Sequence, residues 1–181
     1  PLRRQRQMCI RDSLNVLKSA SVVGKSFQYS AVREILAAPA SESDSMKNLD
    51  QLISLNMIVR LRNEPEPEYC FKHSLTQEVA YASMPFAQRR HLHGRLGRYL
   101  ETRHKDDIEQ YCELLCYHYV RAENEQKAAE YSIKAGDKAK KVFSNLEAIG
   151  YYRDALRYLR ALPRGIPALE GIVEENLGDV Y

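Results

Sequence analysis

Side chains that could carry chemistry occur in the sequence, but no set of them has the spacing of a complete catalytic or metal-binding site. Cys112 and Cys116 lie one helical turn apart, whereas His118 falls on another side of the same helix, and structural zinc needs four ligands. His91 and His93 are two residues apart and therefore diverge on a helix. We predict no catalytic and no metal-ligating residue in this chain, and cysteines that fill small gaps in a core.

The segment Gly24-Lys25-Ser26 matches the last three residues of a phosphate-binding loop. That loop requires the pattern GxxxxGK[ST] directly after a strand. Ser19 occupies the position of the first glycine, and the segment follows a predicted helix rather than a strand. A turn that closes this helix is the expected structure, so we predict no cofactor-binding residue in the chain.

Composition and charge narrow the class of protein. Hydrophobic residues make up 44% of the sequence and charged residues 28%, as in an ordinary globular protein. No apolar run approaches the roughly 20 residues that span a bilayer. The four cysteines form no CxxC pair, which favours a reducing setting and predicts a cytoplasmic location without a membrane span.

The net charge of +3 comes from one end of the chain. Residues 1–13 hold four of the 27 basic residues and one of the 24 acidic residues, so the remainder is neutral. The string RQRQMCIRDS within them also resembles a translated sequencing adapter. We therefore predict that residues 1–13 are a non-native or disordered leader that packs on nothing.

Hydrophobic periodicity predicts a mainly α-helical fold in two parts. Residues 14–84 read as three helices followed by two short strands, Met57–Leu61 and Tyr69–Lys72, joined by an acidic loop that contains prolines. Three helices followed by a two-stranded wing outline a winged-helix-like domain with a short β-hairpin.

Residues 85–181 read as successive amphipathic helices with small residues at predicted crossings. Small side chains let two helices approach while an aromatic ring fills the space beside them, which predicts truncated tetratricopeptide-like repeats. The pattern LxxxY, which is typical of the first helix of such a repeat, occurs at Leu115–Tyr119 and at Leu177–Tyr181. These two sites are 62 residues apart, which is not a multiple of the 34-residue repeat length, so a generic helical bundle is the alternative. The predicted packing residues are Leu115, Tyr119, Ala128, Ala135, Ala148, Tyr152 and Ala155.

Several stretches together resemble one family arrangement. They are residues 17–27, 49–59, 69–81, 89–93 and 128–137, and the most specific is FKHSLTQEVAY from Phe71 to Tyr81. Over residues 14–160 the chain resembles the region after the AAA-type ATPase module in soluble (type 10) adenylyl cyclase-like proteins and bacterial cyclase–ATPase fusions. In such proteins a winged helix and helical repeats follow the ATPase.

This resemblance implies a non-catalytic coupling and protein-interaction segment of a larger nucleotide-binding signalling protein, with a role in cAMP signalling. ATP and Mg²⁺ are then expected only in upstream domains. The implied partners are upstream ATPase or cyclase domains of the same protein, and other proteins through the repeats. A similar layout occurs in LuxR-type ATPase–repeat transcription regulators, which are the alternative.

The distribution of charged residues predicts that the chain does not bind nucleic acid. Residues 42–55 carry three acidic side chains against one lysine, and residues 60–68 carry three glutamates against two arginines, so both surfaces repel a polyanion.

The helix after Pro85 has a basic face on which Glu101 is the only acidic residue. We predict that this face docks on an acidic partner surface, and an ordinary solvated face is the alternative. The basic residues are Arg90, His91, Arg95 and Arg98.

Overall fold

The computed structural model describes residues 2–36, 42–163 and 165–180, with the backbone alone described for residues 2–10 and 42–44. Over these ranges the chain is mainly helical and contains a small antiparallel sheet. It divides into two compact units, Pro1–Tyr99 and Leu100–Tyr181. The division falls inside a continuous helix, α5 (Phe86–Arg103), whereas the sequence pattern predicted a domain boundary before that helix, between residues 84 and 85.

The first unit contains a three-stranded sheet and the helices around it. Strand β3 lies between β1 and β2 and pairs antiparallel with both. The elements are α1 (Leu2–Val23), β1 (Ser26–Gln28), α2 (Tyr29–Ile35), α3 (Glu42–Ser54), β2 (Ile58–Arg62), β3 (Glu68–Phe71), α4 (Ser74–Ala82) and α5 (Phe86–Arg103), whose last residues belong to the second unit.

Helix α1 packs against α2, α3 and α4, and its apolar face joins the core of this unit. The helix begins at Leu2, which differs from the disordered leader expected for residues 1–13. Ser13 is buried, and its hydroxyl oxygen lies 3.0 Å from Asn48 Oδ1 and 2.7 Å from Gln51 Oε1 on α3. The prediction that residues 1–13 pack on nothing is therefore wrong at Ser13.

Gly24 ends helix α1, as the sequence predicted, at a backbone φ of +145° that side chains rarely allow. The strand that follows was not predicted. Phe27 in β1 is 2% exposed, and its ring stacks on Tyr69 of the central strand with ring centroids 5.8 Å apart. Three residues are too few for a strand pattern, so only pairing with a segment 40 residues later defines β1.

The second unit consists of helices joined by short turns. The 3₁₀ turn Ile108–Tyr111 leads into α6 (Cys112–Arg121), α7 (Glu125–Lys141), α8 (Asn145–Ala161) and α9 (Pro167–Gly178). Each of α6, α7 and α8 packs against the next helix along the chain. This sequential packing forms two buried clusters, one centred on α6 and α7 and one on α7, α8 and α9.

Local sequence accounts for where two of these helices, α7 and α9, begin. Asn124 caps α7 by accepting a hydrogen bond from the Lys127 N–H at 3.1 Å, and Pro167 occupies the first turn of α9, where its missing N–H costs nothing. Ser144 stands at the cap of α8, but its hydroxyl donates to the Glu147 carboxylate at 3.0 Å instead of accepting from a backbone N–H.

Candidate interaction surface

The buried cysteines behave as core residues. The Cys112 thiol donates to the Glu109 carbonyl at 3.1 Å, and the Cys116 sulfur lies 3.2 Å from the Ser132 hydroxyl. Burial and the nearby Glu113 carboxylate raise the pKa of Cys112 to about 11, so its thiol stays protonated and unreactive at neutral pH. Among the described residues, no three or more His, Cys, Asp and Glu side chains group together as metal ligands would.

A buried tyrosine pair shares one carboxylate at the start of the second unit. The Tyr119 hydroxyl donates to Glu101 Oε2 and the Tyr131 hydroxyl to Glu101 Oε1, each at 2.6 Å. The two rings stack with centroids 5.6 Å apart and planes 8° from parallel. Lys127 Nζ lies 2.8 Å from Glu101 Oε1 and completes the set. Helices α5, α6 and α7 are thereby joined by charge-assisted hydrogen bonds.

The protonation of Glu101 follows from these partners. Burial opposes ionisation of the carboxyl group, but hydrogen bonds from Lys127, Tyr119 and Tyr131 outweigh it and lower the pKa of Glu101. Burial and the Glu101 carboxylate raise the pKa of Tyr131, which stays a neutral donor. Glu101, which was predicted as the one acid on a basic surface, is thus a structural hydrogen-bond acceptor.

A second close crossing joins α7 and α8. A Cβ atom on Gly136 would lie 2.7 Å from Cε1 of Tyr152, a ring with no exposed surface, so only glycine fits there. The Tyr152 hydroxyl donates to Asp137 Oδ1 at 2.7 Å. Gly136 was not among the predicted packing residues, although a lone glycine inside a helical pattern signals a packing constraint.

The structure places the predicted packing residues in the two clusters, and all seven are buried. Leu115, Tyr119, Ala128 and Ala135 belong to the α6–α7 cluster. The other three, Ala148, Tyr152 and Ala155, belong to the α7–α9 cluster.

The predicted docking face on α5 is only partly a surface. Arg90, His91 and Arg98 are exposed. Arg95 is half-buried, and its guanidinium donates to the backbone carbonyl of Glu34 on α2. Arg95 therefore helps to hold two elements of the first unit together, and the docking role of the other three stays a prediction.

Exposed apolar side chains lie on the motif that carries the family resemblance and just after it. Leu75 and Val79, one turn apart on α4, are 66% and 59% exposed, and Phe86 at the start of α5 is 61% exposed. Ala80 of the same helix is buried and packs in the core. Helix α4 thus has one apolar face toward the core and a second one toward solvent.

The cations of the β2–β3 hairpin are engaged by carboxylates. Arg60 Nη2 lies 3.0 Å from Asp50 of α3, and Arg62 Nε lies 2.8 Å from Glu68 of the neighbouring strand. A cation that is already paired gains less from a phosphate, because the existing ion pair must be broken first.

Comparison with known proteins adds no further constraint. No protein-family model, curated protein or solved structure matches the chain.

None of the helices in the described ranges has the length and apolar character needed to cross a membrane.

Proposed function

We propose that this chain is a non-catalytic coupling and protein-interaction segment of a nucleotide-binding signalling protein of the adenylyl cyclase-like kind. Its first unit is a winged helix that packs on an upstream ATPase module, and its second unit is a set of tetratricopeptide-like repeats. ATP and Mg²⁺ bind in the upstream module. The resemblance of residues 14–160 to such proteins is the starting point of this proposal.

The element order of the first unit supports the winged-helix assignment. A short strand follows α1, two helices come next, and a hairpin places β3 between β1 and β2. The paired state of Arg60 and Arg62 supports a winged helix that contacts protein rather than DNA. The sequential packing of α6 to α9 and the close crossing at Gly136 support the repeat assignment.

One observation carries the proposal of coupling: the motif of highest resemblance exposes apolar side chains. Helix α4 buries Ala80 on one face and exposes Leu75 and Val79 on another. A short helix seldom exposes two neighbouring aliphatic side chains unless another surface covers them. Two exposed aliphatic side chains one turn apart on α4 suit an apolar docking site at the centre of a domain interface.

The test uses the protein in which the upstream ATPase module precedes this chain. Leu75→Ser with Val79→Ser removes the apolar surface of α4 without touching the core. We expect faster protease cleavage near residue 85 and an altered rate of ATP hydrolysis. The matched control is Leu55→Ser with Leu61→Ser, because these leucines are 55% and 53% exposed in the same unit but lie outside α4.

The two pairs of substitutions separate docking from general loss of apolar surface. If α4 docks on the ATPase module, only the α4 pair changes digestion and turnover, and both proteins keep their helix content. Equal digestion of the α4 pair and the parent protein would contradict the proposal. An equal effect of both pairs would also contradict it, because the response would not be specific to α4.

A second measurement tests the absence of a nucleotide site in this chain. Titration calorimetry of the chain with ATP and Mg²⁺ is expected to show no heat of binding, since the Gly24-Lys25-Ser26 segment forms a helix end and the start of a strand rather than a phosphate cradle. Saturable binding would show that the chain itself holds nucleotide.

A further inference from the structure

One arginine at the start of helix α5 has hydrogen-bonding capacity that the chain does not use. The Arg89 Cζ atom lies 5.2 Å from the ring centroid of Tyr81 on α4 and 6.0 Å from that of Phe86 on α5. No described residue accepts a hydrogen bond from its buried Nε atom, and no described carboxylate pairs with its guanidinium. We refer to Tyr81, Phe86 and Arg89 as the arginine site.

Other arginines of the first unit have an acceptor. Arg95, which is also half-buried on α5, donates to the Glu34 carbonyl, and Arg60 and Arg62 of the hairpin meet carboxylates. A buried donor that lacks an acceptor is unfavourable, and most buried donors in proteins have one. The geometry of Arg89 therefore indicates an acceptor that the described part of the chain does not supply.

The stability of α5 does not account for arginine at this position. Arg89 and the exposed Arg90 lie close to the helix N-terminus, and the first turn holds no acidic residue. A helix N-terminus carries partial positive charge, so cations near it weaken the helix and carboxylates strengthen it. Two consecutive arginines there are better explained by attraction of a negatively charged group.

The arrangement of the arginine site defines the chemistry of what it can bind. Rings that lie over the flat face of a guanidinium leave the N–H donors at its edge available, and this edge matches the two oxygens of a carboxylate. Phe86 is 61% exposed and offers apolar surface beside the charge. Arginine next to an exposed aromatic ring is typical of residues that dominate binding energy in protein interfaces.

We propose that the arginine site binds a carboxylate of the upstream ATPase module, with an apolar side chain of that module covering Phe86. This inference rests on the proposed function, because it names the chemistry of the surface that docks on the first unit. The negative charge of the carboxylate complements Arg89, which has no ion pair among the described residues. Arg89 was not among the residues of the predicted basic face.

The first experiment separates charge from packing at Arg89. It uses the protein in which the ATPase module precedes this chain. Arg89→Met keeps a long side chain that packs against aromatic rings, but it removes the charge and all five donors. We expect protease cleavage near residue 85 to become about tenfold faster, since one partner of a charged pair is lost. Helix content should not change.

Salt and a matched variant check that this effect is electrostatic and local. The difference between Arg89→Met and the parent protein should shrink in about 1 M salt, where charges are screened over roughly 3 Å. Arg33→Met is the control, because Arg33 is an exposed arginine of α2 in the same unit. It should leave the rate of cleavage unchanged.

The second experiment identifies the bound carboxylate directly. Arg89→Lys places a primary amine at the arginine site. A carbodiimide activates a neighbouring carboxylate, which condenses with the amine to form an amide, while the carbodiimide takes up the lost water and becomes a urea. Mass spectrometry of the digest should show the introduced lysine joined to an Asp or Glu of the ATPase module. Arg33→Lys is the control and should give no such cross-link.

The outcomes distinguish this inference from the proposed function. If Leu75→Ser with Val79→Ser speeds cleavage, but Arg89→Met is digested as the parent protein is and Arg89→Lys gives no cross-link, the arginine site is only solvated and this inference is wrong. If neither the α4 pair nor the Arg89 variants change anything, the proposed docking is wrong as well. Equal cross-linking of Arg89→Lys and Arg33→Lys would also contradict the inference, because the reaction would not be specific to the site.

Discussion

The turn that joins α6 to α7 and the turn that joins α7 to α8 have nearly the same backbone. In the first, the Asn124 N–H donates to the Tyr119 carbonyl at 3.1 Å, and in the second the Ser144 N–H donates to the Ala139 carbonyl at 2.9 Å. Both turns place a left-handed residue just before the cap of the next helix. The shared backbone geometry is that of a helix end. It accepts both the polar Glu123 and the apolar Phe143, so the backbone does not determine which residue type occupies this position.

The helix crossings behind these turns also share a design. Each buries a tyrosine whose hydroxyl donates to a carboxylate, Tyr119 to Glu101 and Tyr152 to Asp137. At the first crossing the small residue is Ala128, and at the second it is Gly136, which faces the tyrosine ring directly. The glycine at the second crossing therefore leaves the space that the Tyr152 ring occupies.

The largest effect is expected at the α6–α7 crossing. Ala128 is 1% exposed, so Ala128→Leu would force three extra carbon atoms into a packed cluster and lower the free energy of unfolding by about 3 kcal/mol. Urea denaturation measures the loss. Ala161→Leu, at an exposed position of α8, is the control and should change it by less than about 0.5 kcal/mol. Equal effects would mean that Ala128 does not sit in a tight crossing.

At the α7–α8 crossing a single methyl group should suffice to disturb the packing. Gly136→Ala would place Cβ 2.7 Å from the Tyr152 ring and cost about 2 kcal/mol, even after the gain in helix propensity. Gly150→Ala is the matched control in α8, because nothing lies within 4 Å of its Cβ, and it should stabilise the protein by about 0.5–1 kcal/mol. Thermal melts of both variants test whether the signs differ as expected.

The carboxylate at the first crossing gives a pH-dependent test. Glu101→Gln removes a charged acceptor from two tyrosines and should lower the free energy of unfolding by about 1.5 kcal/mol at pH 7. The folded pKa of Glu101 is lowered, so its contribution is present above the unfolded pKa and is lost as the pH falls through the folded value.

The difference between the parent chain and Glu101→Gln should therefore shrink from pH 7 to about pH 3. Denaturant titrations at both pH values measure it. A difference that stays constant with pH would mean that ionised Glu101 does not hold the tyrosine pair.

The smallest effect concerns the turns themselves. Glu123→Gly and Phe143→Gly each relieve a left-handed backbone, and each should raise the free energy of unfolding by about 0.5 kcal/mol after the entropic cost of glycine. Chemical denaturation measures these changes. Equal increases in the free energy of unfolding would show that the two turns are equivalent for folding. A gain confined to one turn would show that their backbones are not equally strained.

Periodicity predicted the helices of the second unit well, and Tyr119 and Tyr152 are buried where the pattern placed them. It could not assign Glu101, because a charged residue near the end of α5 has the same local pattern whether it meets solvent or two tyrosines from α6 and α7. Arg95 was misjudged for the same reason, since its partner is a backbone carbonyl 61 positions earlier.

The sequence by itself determined where several of the helices begin or end, because apolar spacing, capping residues such as Asn124, the helix breaker Gly24 and the first-turn proline Pro167 act within a few positions. Only the tertiary structure decided which groups meet. Strand β1 exists because β3 pairs with it, Glu101 is an acceptor because two helices bring hydroxyl groups to it, and Phe143 is exposed because it joins neither buried cluster of the second unit. These outcomes depend on contacts between distant segments, which no local pattern contains.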